Sequence, residues 1–329
     1  MSEILVNTIK KADGTGSLTV PAESGTVVTT ASPSLGRRNL IINGDFQVSQ
    51  RGDYTSATSV TSETYYLDRW KASIAGCSAT IQDTGRKQKM VCTSGGTGTM
   101  RTFQIVEPQT INKFLGQQVT LSAKVTSNSS DCRLISYMDG WQTESAVHSG
   151  GGTEETLSVT FTVPSSPISI EASYIIGIDG EQSANVTVNT NDYFEVTEVQ
   201  LEVGSVSTPY EHRSYGDELA LCQRYYWQRS LFNLSSTVAV FEGYFGGGGG
   251  VLNIDLPVTM RTAPTLTVIA PTQVQVYETG GWTNRTISAS YSTPDFVQFS
   301  VNSTSHSHGK LLQLTGGSTA PTGQISAEL

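Results

Sequence analysis

Alternation of apolar and polar residues in two segments is the feature that most constrains this chain. The segments "TLSVTFTV" (156–163) and "YFEVTEVQLEVG" (193–204) place apolar side chains at alternate positions over much of their length. Because successive side chains of a strand point to opposite faces, each segment is typical of a strand with one buried face. We therefore expect the chain to build its core between β-sheets.

The composition supports an all-β fold and argues against a nucleic-acid-binding protein. Charged residues make up only 15% of the 329 residues, against roughly 25% in ordinary soluble domains. Thr, Val and Tyr favour strands, whereas Gly, Asn and Ser favour turns. The net charge is −9 and the Lys and Arg residues are scattered. Neutralising phosphates requires clustered Lys and Arg, so we expect no nucleic-acid partner.

The distribution of strand signals predicts two β domains and a segment that cannot fold alone. Eight to ten short strand signals within 36–212 predict a β-sandwich or jelly roll. A second group of signals predicts a smaller C-terminal β domain over 231–329. Residues 1–35 are too few to bury a core of their own. They are expected to form an extended N-terminal anchor that lies on another protein or domain.

One short linking helix is expected between the two β domains, over 213–230. Ser214 followed by Asp217 fits the signature of a helix start, and Arg224 and Arg229 suit a helix end. A helix this short is unstable alone, so it must pack on a neighbouring element.

Membrane insertion and a disulfide framework are not expected. No stretch approaches the about 18 apolar residues of a membrane span, and the N-terminus lacks the apolar run of a signal peptide. The four cysteines have no CxxC spacing, so a structural zinc site is not expected. Buried free thiols are the favoured interpretation, with a pair between Cys77 and Cys92 as the alternative.

The search for enzyme motifs points to a protein that is not an enzyme. A serine nucleophile elbow, an HExxH helix and a P-loop are all absent from the sequence. The run "GGGGG" lacks the Lys-Ser/Thr that a phosphate-binding loop needs. The acidic residues show no spacing that separates them from solvated strand ends.

Several motifs resemble those of a known family. They are "NLIINGDFQVSQRG" (39–52), "DRW" (68–70), "EVTEVQLEVGSVSTPYEHRSYGDELALCQRYYWQ" (195–228) and "LPVTMRTAPTLTV" (256–268). Together they resemble the frame of tailed-bacteriophage tail-fibre proteins, which have a first domain similar to a carbohydrate-binding-module jelly roll. The likeness covers most of the chain, is most specific at 39–46 and 195–227, and identifies no motif after residue 265.

The resemblance implies a virion tail-fibre subunit, commonly a homotrimer, that is assembled in the host cytoplasm. Residues 1–35 would then contact other tail or baseplate proteins. The implied function is adhesion to the host surface through weak, multivalent binding of a surface glycan. Two alternatives stay open: a purely structural tail, collar or head decoration protein, and a spike that depolymerises polysaccharide.

Aromatic side chains are the candidates for glycan contact, because the C–H face of a sugar ring packs on a π surface. In the jelly roll we expect these to be Tyr137 and Trp141, the latter beside a turn signal. In the C-terminal domain the candidates are Tyr277, Trp282 and Tyr291.

A structural calcium ion is one candidate cofactor, because carbohydrate-binding jelly rolls often carry one. Asp45, the carbonyl of Asn43, and Glu198 or Glu202 would supply the oxygen ligands. The alternative is that Asn43-Gly44-Asp45 is simply a turn.

A transition metal on the axis of a trimer is the other candidate cofactor. His306 and His308 are two residues apart, so in a strand they face the same side. Three such pairs around a three-fold axis would give six imidazole ligands, an octahedral set that suits iron. The surrounding Ser and Asn residues favour the alternative, a polar loop.

Overall fold

The computed structural model describes residues 8–10, 17–19, 38–138, 141–168, 172–178, 186–230, 239–241, 249–269, 274–278, 281–302, 312–316 and 322–328. Met1–Arg38 form one unit and Asn39–Leu329 form a second. Within the first unit, β1 (Thr8–Lys10) and β2 (Ser17–Thr19) pair as antiparallel strands. The anchoring role of residues 1–35 stays a prediction.

Two six-stranded antiparallel sheets form the larger part of the second unit. The first sheet consists of β3 (Thr58–Ser59), β6 (Ser78–Asp83), β7 (Gln88–Ser94), β10 (Gln118–Ser127), β13 (Glu154–Thr162) and β16 (Tyr193–Val203). The second sheet consists of β4 (Thr64–Leu67), β5 (Trp70–Ala75), β9 (Thr99–Val106), β11 (Cys132–Met138), β12 (Trp141–Glu144) and β14 (Ala172–Ile178).

The strand orders follow a sandwich in which consecutive strands often change sheet. The order is β13-β10-β16-β7-β6-β3 in the first sheet and β12-β11-β14-β9-β5-β4 in the second. One apolar core lies between them, because both sheets contribute side chains to the same cluster. Leu157, Val159 and Phe161 enter it from β13, and Trp70 and Met100 enter it from the second sheet. The alternation in 156–163 therefore marks a half-buried strand, as predicted.

Short elements complete this sandwich. The strands β8 (Gly96–Thr97) and β15 (Thr187–Val188) pair with each other, and α1 (Pro108–Ile111) leads into a 3-10 turn at Asn112–Phe114. All four cysteines are free thiols, which confirms that prediction, and three of them are buried.

The second helix, α2 (Tyr215–Gln223), confirms the predicted helix start and corrects its end. The Ser214 hydroxyl caps the helix by accepting a 3.2 Å hydrogen bond from the backbone N–H of Asp217. The helix predicted over 213–230 is wrong in its second half, because Tyr226–Ser230 is the strand β17. That strand pairs with Thr322–Ser326, almost a hundred residues downstream, so a distant partner overrides the local helix signal.

Three small sheets form the C-terminal β region that begins with β17. One contains β17, β20 (Thr265–Ile269) and β26 (Thr322–Ser326), and another contains β19 (Gly249–Asp255), β23 (Ile287–Ser292) and β24 (Phe296–Asn302). The remaining sheet contains β18 (Ala239–Phe241), β21 (Val274–Glu278), β22 (Gly281–Arg285) and β25 (Leu312–Gly316).

This C-terminal region has an apolar cluster of its own. Ile287, Val297, Phe299 and Ile325 are fully buried within it. The predicted fold class is confirmed: the chain is all-β, with a sandwich, one short helix of nine residues and a smaller C-terminal β region. No helix among the described residues is long and apolar enough to cross a membrane.

Buried charges join the C-terminal region to the sandwich. The Glu328 carboxylate pairs with the guanidinium of Arg51 at 2.7 Å and also with that of Arg69. The Arg69 guanidinium lies 3.6 Å from the centre of the Tyr225 ring, and that of Arg51 lies 3.7 Å from the Tyr226 ring. The two β regions are therefore held in one unit by contacts between charged and aromatic side chains.

Candidate functional site

The strands of the second sheet carry apolar side chains on the face that points away from the core. In β9 and β11 the residues that share the inner face with Met100 and Leu134 include three polar ones, Thr102, Gln104 and Ser136. The outward positions between them are occupied by apolar and aromatic residues, namely Phe103, Ile105, Ile135 and Tyr137. A half-buried sheet usually has apolar residues on its inner face and polar residues on its outer face, and these strands partly reverse that pattern.

The outward residues form a cluster that is separate from the sandwich core. Phe103, Ile135 and Ile175 are at most 8% exposed, and Ile105 and Tyr137 pack against them while remaining partly exposed. We call these five residues the outer-face cluster.

The register of the strands lines this cluster up across the sheet. Lys71, Phe103, Ile175, Ile135 and Glu144 are directly opposite one another on five consecutive strands. Since directly opposite side chains of antiparallel strands are neighbours, they form one row, which Tyr65 of β4 extends beyond Lys71.

Two further rows flank the first. On one side Tyr137 is opposite both Ser173 and Gln142, and Ser173 is in turn opposite Ile105. On the other side the row is Ser73, Arg101, Gly177 and Arg133. The apolar stripe is therefore bordered by amide, hydroxyl and guanidinium groups.

Gly177 is required by the close approach of β9. A Cβ atom at this position would lie 2.4 Å from the carbonyl oxygen of Met100 and 2.8 Å from the Cβ of Arg101. Only glycine fits there without a shift of the backbone. The position between Arg101 and Arg133 therefore carries no side chain, because β9 approaches it closely.

The three described rows contain three basic residues and one acidic residue. The basic residues are Lys71, Arg101 and Arg133, and the acidic residue is Glu144. Arg133 pairs with Glu144 at 2.7 Å, and the Gln142 amide donates to the same carboxylate.

The polar residues on the inner face explain how the inversion is tolerated. The Gln104 amide accepts from the backbone N–H of Ile42 at 2.9 Å and donates to the carbonyl of the same residue. The Thr102 hydroxyl donates to the Lys71 carbonyl at 3.1 Å. The Ser136 hydroxyl is buried and has no hydrogen-bond partner among the described residues.

Of the aromatic residues expected to contact glycan, Tyr137 lies on this face. Trp141 begins β12, where it is opposite Met138, but its side chain lies outside the described part of the molecule. Tyr277 and Trp282 are directly opposite each other in the β21–β22 hairpin, and their side chains are likewise not described. Tyr291 is 57% exposed. The structure does not bring Tyr291 together with Tyr137 in one described contact.

The oxygen ligands proposed for calcium each have protein partners. Asp45 is 3% exposed and pairs with the Arg86 guanidinium, although its Oδ1 atom has no hydrogen-bond partner. Glu202 accepts from the Thr208 backbone N–H at 2.7 Å and from the Thr208 hydroxyl at 2.6 Å. The Asn43 carbonyl accepts from the Trp70 indole at 2.9 Å.

The Arg86 guanidinium supplies the positive charge beside Asp45, and the calcium ion stays a prediction. Within the described ranges, no group of three or more His, Cys, Asp or Glu side chains could hold a metal ion. His306 and His308 lie outside the described residues.

Sequence reasoning missed most of the outer-face cluster. It selected Tyr137 because the residue is aromatic, and it passed over Phe103, Ile135 and Ile175 as ordinary strand residues. The signal that could have found them is in "TFQIV" and "CRLISYM", where apolar residues stand at both odd and even positions and so point to both faces of the strand. Such strands carry apolar side chains on both faces.

Comparisons with known proteins add similarity to solved structures only. No protein-family model matches the chain, and no curated protein matches it. The enzymatically active domain of tailspike protein 4 from bacteriophage CBA120 is 11% identical over 50% of this chain, with a TM-score of 0.30. That match covers 21% of the tailspike chain, so this chain spans only about a fifth of its length.

Two carbohydrate-binding modules give similar values. The C-terminal family 22 module of Clostridium thermocellum Xyn10B is 12% identical over 49% of this chain and 99% of the module, with a TM-score of 0.30. The CBM22-2 xylan-binding domain of Paenibacillus barcinonensis Xyn10C is 15% identical over 45% of this chain and 99% of the domain, with a TM-score of 0.31. TM-scores this low do not establish a common fold or a common function.

Proposed function

We propose that this chain is an adhesion subunit of a tailed-bacteriophage tail fibre that binds an acidic host-surface glycan through the outer face of its second sheet. The observation that carries the proposal is the partly exposed edge of the outer-face cluster, where Ile105 and Tyr137 lie beside amide and basic side chains. The motif resemblance at 39–52 and 195–228 supports the virion assignment.

The chemistry of this face suits a sugar chain. Tyr137 offers a partly exposed aromatic ring on which a pyranose can stack. Gln142 and Glu144 lie beside the ring and supply groups that can hydrogen-bond to sugar hydroxyls. Such a combination of an apolar surface with a few polar groups is typical of ligand sites.

The charge of the face favours an anionic glycan. Lys71 makes no ion pair within the described part of the chain, and Arg133 shares the same face while pairing with Glu144, so a ligand carboxylate or phosphate could pair with the Lys71 ammonium and share the Arg133 guanidinium. Guanidinium groups bind such anions through paired, charge-assisted hydrogen bonds. A neutral glycan would gain less from this arrangement.

The proposed assembly follows the sequence resemblance. We place the protein in the virion as a homotrimer made in the host cytoplasm, with residues 1–35 bound to another tail or baseplate protein. Three copies per fibre would strengthen the weak binding of a single face. We assign the chain no catalytic role.

The proposal is tested by binding of the purified full chain to an array of bacterial surface polysaccharides that includes acidic and neutral members. We expect binding to at least one acidic polysaccharide and an about tenfold loss of affinity in Tyr137→Ala, equivalent to about 1.4 kcal/mol. Arg133→Gln should weaken the acidic ligand more than any neutral one.

Tyr193→Ala is the matched control, since Tyr193 is a partly exposed tyrosine on the first sheet. Its affinity should stay within about twofold of the parent, well below the tenfold step defined above. Absence of binding to every acidic member, or equal losses in the two tyrosine variants, would contradict the proposal and favour a purely structural subunit. Shortening of the polysaccharide during the assay would instead indicate a depolymerase.

A further inference from the structure

A small cleft opens on the opposite side of the sandwich, on the outer face of the first sheet. Its volume is about 110 Å³. It lies where β10, β13 and β16 meet the chain at 207–210. The side chains that line it and carry the argument are Ser122, Lys124, Thr156, Glu198 and Tyr210.

A β-bulge opens the sheet at this point. The pairing of β10 with β16 shifts register between Ser122 and Lys124, and Glu198 on the opposite strand has a φ of 52°. The next residue, Val199, donates its backbone N–H to the Gly44 carbonyl at 2.8 Å. The bulge thus diverts backbone groups of β16 to another partner and interrupts the ladder beneath the cleft.

Two hydroxyl groups in the cleft make no hydrogen bond to any described residue. Ser122 is only 6% exposed, yet its hydroxyl makes no hydrogen bond within the described part of the chain. The same holds for the Tyr210 hydroxyl, whose ring is held edge-on against His212 at 5.0 Å. Buried polar groups are normally hydrogen-bonded, so an unpartnered hydroxyl that lines a cleft is a site for a ligand or water.

The phenol of Tyr210 is available as a donor. Burial, together with the nearby carboxylates of Asp45 and Glu218, raises the pKa of Tyr210 above its usual value. The hydroxyl therefore stays protonated over the whole physiological range.

The charges in the cleft balance each other. The Lys124 ammonium lies 2.9 Å from the Glu198 carboxylate, and both side chains are partly exposed, at 39% and 26%. A paired lysine and glutamate offer donors and an acceptor without net charge. This arrangement suits a neutral polyhydroxylated ligand, in contrast to the basic outer face of the second sheet.

We infer that this cleft is a second sugar-binding site, specific for a single neutral monosaccharide unit. Ser122 and Tyr210 hydrogen-bond to its hydroxyls, with Thr156 at the rim, while the Lys124–Glu198 pair contacts a further hydroxyl. A volume of about 110 Å³ is well below that of a pocket for a drug-sized ligand, so the cleft accepts at most one ring. The site is independent of the one proposed on the second sheet.

The test is saturation-transfer-difference NMR of the full chain with glucose, galactose, mannose and N-acetylglucosamine. The measurement uses a Tyr137→Ala background, so that binding at the outer-face cluster is weakened by about tenfold. We expect at least one of the four sugars to give a signal. Adding Ser122→Ala and Tyr210→Phe should weaken its binding by about thirtyfold, because the hydrogen bonds from both hydroxyls to the sugar are lost.

The design keeps misfolding apart from loss of the site. Neither hydroxyl has a partner among the described residues, so we expect the two substitutions to leave the thermal midpoint unchanged. Thr162→Val is the control, because Thr162 is an exposed hydroxyl residue of β13 outside the cleft, and its signal should persist.

Two results would overturn the inference: no signal from any of the four sugars, or a signal that the cleft substitutions leave intact. A signal present in the wild type and absent in the Tyr137→Ala background would also overturn it, while supporting the site on the second sheet. The two proposals therefore fail separately.

Discussion

The outer faces of the two six-stranded sheets differ in kind. On the first sheet, β13 alternates strictly, with Leu157, Val159 and Phe161 inward and exposed polar residues such as Thr156 and Ser158 outward. On the second sheet, β9 and β11 direct Phe103, Ile105, Ile135 and Tyr137 outward. Phe103 and Ile135 are buried on this face, whereas Ile105 and Tyr137 remain partly exposed and leave an apolar edge that β13 of the first sheet lacks.

The ion pairs of the two sheets differ in the same way. On the first sheet, Lys87 pairs with Glu154 at 3.1 Å and both side chains are largely in solvent, at 35% and 44% exposure. Beside the second sheet, Arg69 pairs with Glu328 with both side chains nearly buried, at 1% and 6%. Solvent screens the first pair and not the second, so only the second should matter greatly for stability.

The largest effect is expected from removing the Glu328 carboxylate. Glu328→Gln leaves the Arg69 guanidinium buried without its counter-charge, and breaking a buried pair in this way costs about 3–5 kcal/mol. We expect the free energy of unfolding, measured by urea titration, to fall by that amount. In the matched variant Glu154→Gln it should change by less than about 1 kcal/mol. Similar losses in the two variants would remove the distinction between the sheets.

The next effect concerns the outer-face cluster itself. Ile135→Asp places a carboxylate at a position that is 2% exposed, and Ser158→Asp places one at an exposed position of β13. We expect a loss of about 3 kcal/mol for the first and less than about 0.5 kcal/mol for the second. Thermal and urea unfolding measure both. A near-neutral Ile135→Asp would show that the cluster is open to water.

A smaller, pH-dependent effect is expected at the buried junction. Burial raises the pKa of Asp68 to about 6, because the hydrogen bonds from Gln50 only partly offset the loss of solvent. The folded protein therefore holds this proton more tightly than the unfolded chain does. The stability that depends on the protonated form is complete below about pH 4 and is lost as the pH rises through about 6.

Asp68→Asn should remove this dependence. Relative to the wild type, the variant should gain about 2 kcal/mol between pH 4 and pH 7. On the first sheet the hydrogen bond from the Ser149 hydroxyl lowers the pKa of Glu155, so its contribution has the opposite sign and is lost as the pH falls. Unfolding curves from pH 3 to 8 for Asp68→Asn and Glu155→Gln should thus diverge from the wild type in opposite directions. If the stability of both variants followed the same pH dependence as the wild type, the assigned pKa shifts of Asp68 and Glu155 would be contradicted.

Much of the fold could be read from the sequence where the signal is local. The alternation in 156–163 predicts β13, and Ser214 with Asp217 predicts the start of α2, because the strand period and the helix cap depend on neighbouring residues alone. The end of α2 could not be predicted in this way. Tyr226–Ser230 is a strand because Thr322–Ser326 pairs with it, and no local pattern reports a partner so distant.

The candidate site was only partly predictable for a related reason. Tyr137 is recognisable as an aromatic residue in a strand, but its position beside Ile135 and Ile175 depends on the register of three strands. In β9 and β11, apolar residues at both odd and even positions predict a strand that is buried on both faces. Only the order of the strands shows that one of these faces lies outside the sandwich. The cleft beside Ser122 was not predictable, since it depends on a bulge and on the chain at 207–210.

The central claim is that the outer face of the second sheet binds an acidic glycan. The most direct measurement is a crystal structure of the full chain with an acidic oligosaccharide selected on the polysaccharide array. The account predicts a sugar ring stacked on Tyr137, with the carboxylate or phosphate of the ligand within hydrogen-bonding distance of Lys71, Arg101 or Arg133. An oligosaccharide bound only at the C-terminal hairpin that carries Tyr277 and Trp282, with nothing on the second sheet, would contradict it.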